Sequence, residues 1–258
     1  MPEASEVARF YDQLAADYHR VYADWDASMG RQGRALDAVI RAELEVQGGA
    51  SVLDCSCGIG TQAIGLGLCG HRVTGTDISA SALSRAVREA AERGVPLPAA
   101  AADMRRLPFP DGRFDVVVSA DNSLPHLLTA HHVRTALTEM RRVLRGGGLL
   151  VVSTRPYDEI RRARPASTPP QLAASPHGRS VSFQLWDWHP DGERYDLEHF
   201  QLVPDGGDWS VRVRRATYWA LTQGQLTRFA VEAGFTDVTW RTPECSGFFQ
   251  PVLTARVG

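Results

Sequence analysis

The 258-residue chain contains no lysine, so all 28 of its basic side chains are arginine. Its 30 acids leave a net charge of -2, which removes any electrostatic reason to bind nucleic acid or an anionic membrane surface. The arginine-only usage reflects a GC-rich genome more readily than a function. Long hydrophobic runs are also missing: no stretch approaches the roughly 20 apolar residues of a membrane span. The opening Met1-Pro-Glu-Ala-Ser-Glu-Val7 is acidic and lacks a signal-peptide pattern, so the cytoplasm is the expected compartment. Cysteine is scarce, with four at positions 55, 57, 69 and 245. Cys55 and Cys57 are too closely spaced for zinc, so no metal is expected and they read as small apolar residues.

The composition is 43% hydrophobic and 22% charged, a balance that fits one α/β domain with an elaboration and a sizeable core. The most informative stretch is Ser51-Val-Leu-Asp-Cys-Ser-Cys-Gly-Ile-Gly-Thr61, an aliphatic run that ends on Asp54 and opens into a glycine loop. Val73-Thr-Gly-Thr-Asp77 comes next, again ending on an acid, with Ile78 after it. Two strands that each end in a carboxylate, with one helix between them, make the cofactor corner of an open α/β sheet. There Gly58 and Gly60 let the backbone approach a ligand and Asp77 can accept both ribose hydroxyls. Read literally, Gly58 to Ala63 also matches the dinucleotide fingerprint, which leaves a nicotinamide oxidoreductase to be weighed.

The order of the segments downstream of the glycine loop decides between these. Ala102-Asp103-Met104 succeeds a third apolar strand, Phe114 to Ser119 is a fourth that runs into Asp121-Asn-Ser123, and Arg142 to Thr154 gives a helix end, a glycine turn and a fifth strand. This order resembles the class I S-adenosylmethionine-dependent methyltransferases along about the whole chain, with Ser56 where that family often has glycine. Three segments narrow the resemblance to the glycine/sarcosine N-methyltransferase-like proteins: Phe10 to Asp26 as an N-terminal lid, Asp121-Asn-Ser-Leu-Pro-His-Leu127, and Arg155-Pro-Tyr-Asp158. The resemblance implies that S-adenosylmethionine is held by the glycine loop with Asp54 and Cys55, by Asp77 and Ile78 at the ribose, and by Asp103 and Met104 at the adenine. It further implies that Tyr22, Trp25 and Arg31 of the lid and Asp121 reach the cofactor, and that Arg155, with Tyr157 beside it, binds the carboxylate of an amino-acid substrate.

Apolar periodicity predicts helices over 3–20 and 28–46, the latter on Leu36, Val39, Ile40 and Leu44, with a hinge at 22–26. Strands are expected at 51–54, 72–76, 98–102, 114–119, 148–154, 236–241 and 250–256. Helices are expected at 60–69, from Ser79 to Arg93, at 131–145 and at 222–233. Residues 156–180 read as an irregular excursion. Three alternating stretches, 181–188, 195–203 and 209–219, then form an antiparallel meander turned at Asp191-Gly192 and Asp205-Gly-Gly207. The expected fold is therefore a seven-stranded Rossmann-like sheet (47–154 and 220–258) with a helical lid (1–46) and an antiparallel β cap (155–219).

Methyl transfer from a sulfonium mainly requires nucleophile, methyl and sulfur held in line in a dry site. Among residues beyond the strand ends, His126 is the general-base candidate, while Asn122 and Tyr22 orient the reactants. The expected acceptor is an amine of an amino-acid-like compound, on the strength of Arg155. The tryptophan-rich cap, with Trp186, Trp188 and Tyr218, makes a carbon or hydroxyl of an aromatic or indole-type metabolite the alternative acceptor. A silent adenosyl-binding protein is the remaining reading. No nucleic-acid or membrane partner is expected, and a homodimer is compatible with the sequence.

Overall fold

The computed structural model describes residues 2–45, 48–175 and 178–258. The expected domain junction at residues 46–47, and residues 176–177 of the expected excursion, lie outside them. The chain opens with α1 (Pro2–Leu14), a 3-10 turn (Tyr18–Val21) and α2 (Trp25–Leu44). The helix expected over 3–20 thus stops at Leu14, and the chain turns before Asp24 caps α2 by accepting from the Ala27 amide at 2.9 Å.

Next come β1 (Ser51–Asp54), α3 (Thr61–Leu68), β2 (Arg72–Asp77), α4 (Ala80–Glu92), β3 (Ala99–Ala101), β4 (Phe114–Ser119), α5 (Ala130–Val143) and β5 (Leu144–Ser153). Ser79 caps α4 as the sequence predicts, accepting from the Ala82 amide at 3.1 Å. After β5 the chain forms α6 (Tyr157–Ala163) and a second sheet of β6 (Gln171–Ser175), β7 (Gly178–Trp188), β8 (Arg194–Asp205) and β9 (Asp208–Trp219). It returns through α7 (Gln223–Glu232), β10 (Phe235–Arg241), the short α8 (Pro243–Ser246) and β11 (Val252–Val257).

The first sheet has seven strands in the order β10-β11-β5-β4-β1-β2-β3, with β11 antiparallel to both neighbours and the other pairs parallel. Val116, Val117 and Val118 of β4 are fully buried, because helices cover both faces of this central strand. Close approach of α2 to α3 depends on Gly33 and Gly65: a Cβ on Gly33 would lie 2.5 Å from the Gly65 carbonyl carbon. That contact seats α2 against α3, the helix that follows the glycine loop.

The second sheet runs β6-β7-β8-β9 and is antiparallel throughout. It has four strands where the sequence suggests three. The Pro-, Ser- and Ala-rich stretch after β5 is not wholly irregular, since α6 and β6 both lie within it. Its poor intrinsic strand propensity is overridden because Gln171 to Ser175 pairs along the free edge of β7.

Phe10 and Leu14 of α1 share a buried cluster with Tyr157, Trp186, Tyr195, Leu197 and Tyr218, so α1 and the second sheet have one core. Beside it the buried Asp17 carboxylate accepts from Arg212 and, at 3.3 Å, from Arg214, while Gln201 donates to the Asp17 carbonyl at 3.2 Å. Among the described residues no helix is long and apolar enough to cross a membrane.

Candidate functional site

Parallel pairing of β1, β2 and β4 brings their carboxyl ends to one edge, where an open α/β sheet binds ligands. Asp77 ends β2 and clamps the glycine loop: its Oδ2 accepts from the Gly58 amide and its Oδ1 from the Ser79 amide, both at 2.8 Å. Burial raises its pKa against the pull of these donors. Gly58 sits at φ +52°, and a Cβ there would point at Tyr18 Cε1, 3.5 Å away across the cleft. Gly60 caps α3 and packs toward Ile64 without reaching the cleft.

Asp54 also stays behind the loop. Its Oδ1 accepts from the Ser56 amide at 3.2 Å, Oδ2 has no partner, and burial pushes its carboxyl up to about 7. Cys55 lines the cleft as a buried, protonated thiol. Ile78 and Met104 line it with apolar surface. Asp103 lines it too, with its carboxylate forked by Arg105; burial opposes ionisation, but Arg105 holds the group below the usual carboxylate range.

Tyr11 of α1, Tyr18 of the 3-10 turn and Tyr22 just after it line the cleft. Burial, reinforced by neighbouring phenols and acids, keeps all three phenols protonated. Sequence alone singles out Tyr22. The sequence carries no signal for the other two, because α1 ends at Leu14 and only the turn after it brings Tyr18 and Tyr22 beside Tyr11.

Two lid expectations are corrected. Trp25 does not line the cleft; it begins α2 beneath the loop, donates to Thr61 Oγ1 at 2.8 Å, and lies 5.2 Å from each of the Arg85 and Arg93 guanidiniums. Arg31 is exposed on the outer face of α2 and donates to Ser28 Oγ at 2.9 Å, so it does not reach the cleft either.

After β4, Asp121 and Asn122 both have left-handed backbones, at φ +57° and +69°. Asp121 lines the cleft and accepts from Tyr22 at 3.0 Å and from Gln250 at 3.2 Å, with burial raising its pKa. Asn122 faces away from the cleft, and its Oδ1 accepts from the Arg155 amide at 3.1 Å.

His126 is buried at the cleft wall, with Nε2 bonded to Tyr11 at 2.8 Å and its ring 4.1 Å from that of Tyr218. Burial, then the charge of Arg155, lowers its pKa to about 3, so the imidazole is neutral at physiological pH. Arg155 itself borders a neighbouring cavity instead of the cofactor cleft. Its guanidinium donates to Tyr195 and Gln184 at 3.1 Å each and lies 4.9 Å from the Trp186 ring.

Tyr157 is fully buried against Tyr195, hydroxyl to hydroxyl at 3.0 Å. Trp186 stacks on Tyr195 at 4.5 Å, and Tyr218 stacks on the same ring at 5.6 Å. Trp188 stands at the margin of this cluster, donating to the Pro165 carbonyl at 3.1 Å, and lines neither cavity. Tyr195 and Gln184, which carry no motif of their own in the sequence, are thus central to how Arg155 is held. No group of three or more His, Cys, Asp or Glu side chains among the described residues is placed to hold a metal ion.

An acid-clamped glycine loop at the carboxyl edge of a seven-stranded sheet with one antiparallel strand defines a class of enzyme, and comparisons with known proteins identify it. Residues 52–148 match the methyltransferase domain family. Over 245 residues the chain is 37% identical to the glycine/sarcosine N-methyltransferase of Parasynechococcus marenigrum (strain WH8102), covering 92% of this chain and 82% of that protein. It is 34% identical over 210 residues to the ubiquinone/menaquinone biosynthesis C-methyltransferase UbiE of Burkholderia mallei (strain SAVP1), covering 80% and 71%. Its fold is similar to that of S-adenosylmethionine-bound CalS10, an amino pentose methyltransferase from Micromonospora echinaspora, with a TM-score of 0.72 at 18% identity over 90% of this chain and 92% of that one.

The chain belongs to the class I S-adenosylmethionine-dependent methyltransferases. S-adenosylmethionine is its cofactor, which removes the nicotinamide reading of the glycine loop. The cleft fits that group: it offers an acid at the end of β2, two apolar side chains beside a second acid, and a glycine whose missing Cβ leaves space under Tyr18.

Proposed function

We propose that the enzyme methylates the amine of an amino-acid-like compound whose carboxylate is held by Arg155. The observation that carries this reading is the company Arg155 keeps. Two neutral oxygens and two ring faces surround the guanidinium, and no carboxylate lies within ion-pair distance among the described residues. The acid whose charge it feels, Asp121, has its oxygens taken by Tyr22 and Gln250. A largely desolvated guanidinium without an anion is a receptor for one, and its planar fork suits a carboxylate. The name of the glycine/sarcosine N-methyltransferase relative favours the same acceptor atom. The aromatic alternative has less support, because Trp186 is already stacked on Tyr195 beneath Arg155.

In this reading residues 1–46 are a lid and 155–219 a cap over the core at 47–154 and 220–258. Bound in the cleft, S-adenosylmethionine supplies a methyl group on a positively charged sulfur. Asp77 would accept from the ribose hydroxyls, Ile78, Met104 and Asp103 would hold the adenine, and Asp121 and Tyr22 would bind the methionine portion. Asn122 fixes the Arg155 backbone and so the height at which the acceptor carboxylate docks. Tyr11, Tyr18 and Tyr22 exclude water, and holding the reactants in line is worth roughly 7–11 kcal/mol of barrier. With a pKa of about 3, His126 is a poor proton acceptor at neutral pH. Its role is to position Tyr11, and the acceptor amine must arrive already neutral.

The test is a panel of amino acids, amino sugars and aromatic phenols and indoles, incubated with enzyme and S-adenosylmethionine and read by mass. Methylation of amino-acid amines is the expected result. Turnover confined to aromatic carbons or hydroxyls would overturn the assignment.

A further inference from the structure

A second cavity opens beside Arg155, and no residue of the glycine loop lines it. One wall is the inner face of β7 and β8, where Gln184 pairs directly opposite His199. Val21 of the 3-10 turn, Pro169, Pro170 and Leu172 add apolar lining, interrupted by Thr168 and Gln171. His199 is only 4% exposed, and its Nε2 has no hydrogen-bond partner. Burial, then the charges of Arg214 and Arg155, pulls its pKa down to about 4, so it is neutral at physiological pH. Buried polar nitrogens are rarely left unmatched, and this one lines a cavity that also contains the anion receptor Arg155.

We infer that this cavity receives the side chain of the acceptor, an uncharged polar substituent such as an amide or hydroxyl that hydrogen-bonds His199 Nε2. The inference rests on the amino-acid reading of Arg155 and narrows it. A carboxylate docked on Arg155 places the α-substituent next to Gln184, and an aliphatic stem would run along Val21, Pro170 and Leu172. A cationic tail is disfavoured by Arg155 and Arg214, whose charges both reach this site. Bare glycine would leave His199 unmatched.

The experiment compares kcat/KM for glycine, norvaline, glutamine and lysine in the wild-type enzyme, in His199→Ala and in Leu172→Trp. Calorimetric titration with S-adenosylmethionine reports whether each variant is folded. The wild type should favour glutamine over norvaline, and over lysine, by about tenfold or more. His199→Ala should bring glutamine and norvaline within about twofold of one another. Leu172 is 59% exposed, so Leu172→Trp narrows the cavity mouth without disturbing the core; it should cost glutamine about tenfold more than glycine. It decides the matter if His199→Ala does not fold. Equal turnover of glycine and glutamine by the wild type, or an undiminished preference for glutamine in the folded variants, overturns the pocket and leaves the role of Arg155 standing. Failure of every amino acid to react overturns both.

Discussion

Arg155→Met separates binding from stability in a way most buried-charge substitutions cannot. Removing one partner of a buried ion pair ordinarily costs about 3–5 kcal/mol, because an uncompensated charge remains. Here no such partner exists among the described residues. After the change Tyr195 keeps its bond to Tyr157 at 3.0 Å, and the Gln184 oxygen keeps the Trp186 indole donor at 3.1 Å, so neither neighbour is orphaned. Methionine fills much of the space between Trp186 and Tyr218 and needs no solvation. The melting temperature should therefore stay within about 3 °C of wild type, a change under roughly 1 kcal/mol. S-adenosylmethionine affinity should be unaltered, since Arg155 borders the other cavity. The acceptor, in contrast, loses a charged hydrogen-bonded contact worth about 1.5–3 kcal/mol, which lowers kcat/KM about 10- to 150-fold. Arg155→Lys should fall between, because it keeps the charge and loses the fork. Scanning fluorimetry, calorimetry and steady-state kinetics on one preparation make the measurement. A large drop in melting temperature with unchanged acceptor kinetics would show that Arg155 is structural.

Asp77→Ala removes the acceptor for the Gly58 and Ser79 amides as well as for the ribose, and should weaken S-adenosylmethionine by about 1.5–3 kcal/mol in calorimetry. Affinity within twofold of wild type would refute the ribose assignment. Asp17→Ala leaves the buried Arg214 without its carboxylate and should cost about 3 kcal/mol in urea unfolding, whereas an unchanged midpoint would mean that lid and cap are held by apolar packing alone. His199, at about 4 against an ordinary 6.5, refuses a proton that the unfolded chain accepts. Its contribution is complete above about pH 6.5 and is lost as the pH falls toward 4, at about 1.4 kcal/mol per pH unit. His199→Asn should flatten the pH slope of unfolding free energy by that amount between about pH 4.5 and 6; identical slopes would mean that the imidazole is not desolvated.

The sheet was legible because every one of its strands and their helices carries a local signal. The uninterrupted valines of β4, the cap at Ser79 and the acids ending β1 and β2 each state their position within a few residues. The cap was less legible at β6, where Gln171-Leu-Ala-Ala-Ser175 has no pattern of its own and becomes a strand only by pairing with β7. In the site, Asp77 could be placed by its position at a strand end and Ile78, Met104 and Asp121 by the family resemblance, and the structure brings all four to one cleft. Trp25 and Arg31 could not, because facing inward or outward depends on how α2 seats on α3 through Gly33 and Gly65. His126 drew attention as the histidine in the turn beyond β4, but its neutral state comes from α1 and β9 closing over it, contacts distant in sequence.

The turn at Asp121-Asn122 is where the two halves of the site are tied together. Two consecutive non-glycine residues with positive φ cost of order 1–3 kcal/mol each, and such strain persists only where surroundings over-determine it. Here the Asp121 amide donates to Ser153 Oγ at 2.8 Å and the Asn122 amide to the Ser153 carbonyl at 3.2 Å, which fixes the turn to the end of β5. Gln250, just before β11, holds Asp121 from one side and Tyr22 of the lid holds it from the other. Asn122 meanwhile binds the Arg155 amide. One strained dipeptide therefore sends its first side chain into the cofactor cleft and uses its second to set the residue that borders the neighbouring cavity. Left-handed geometry at both positions makes this possible, since an extended continuation of β4 would have carried Asp121 and Asn122 past the sheet edge on alternate faces. Asp and Asn are the side chains that tolerate that geometry at least cost, which gives the Asp121-Asn122 pair a physical reason independent of any resemblance.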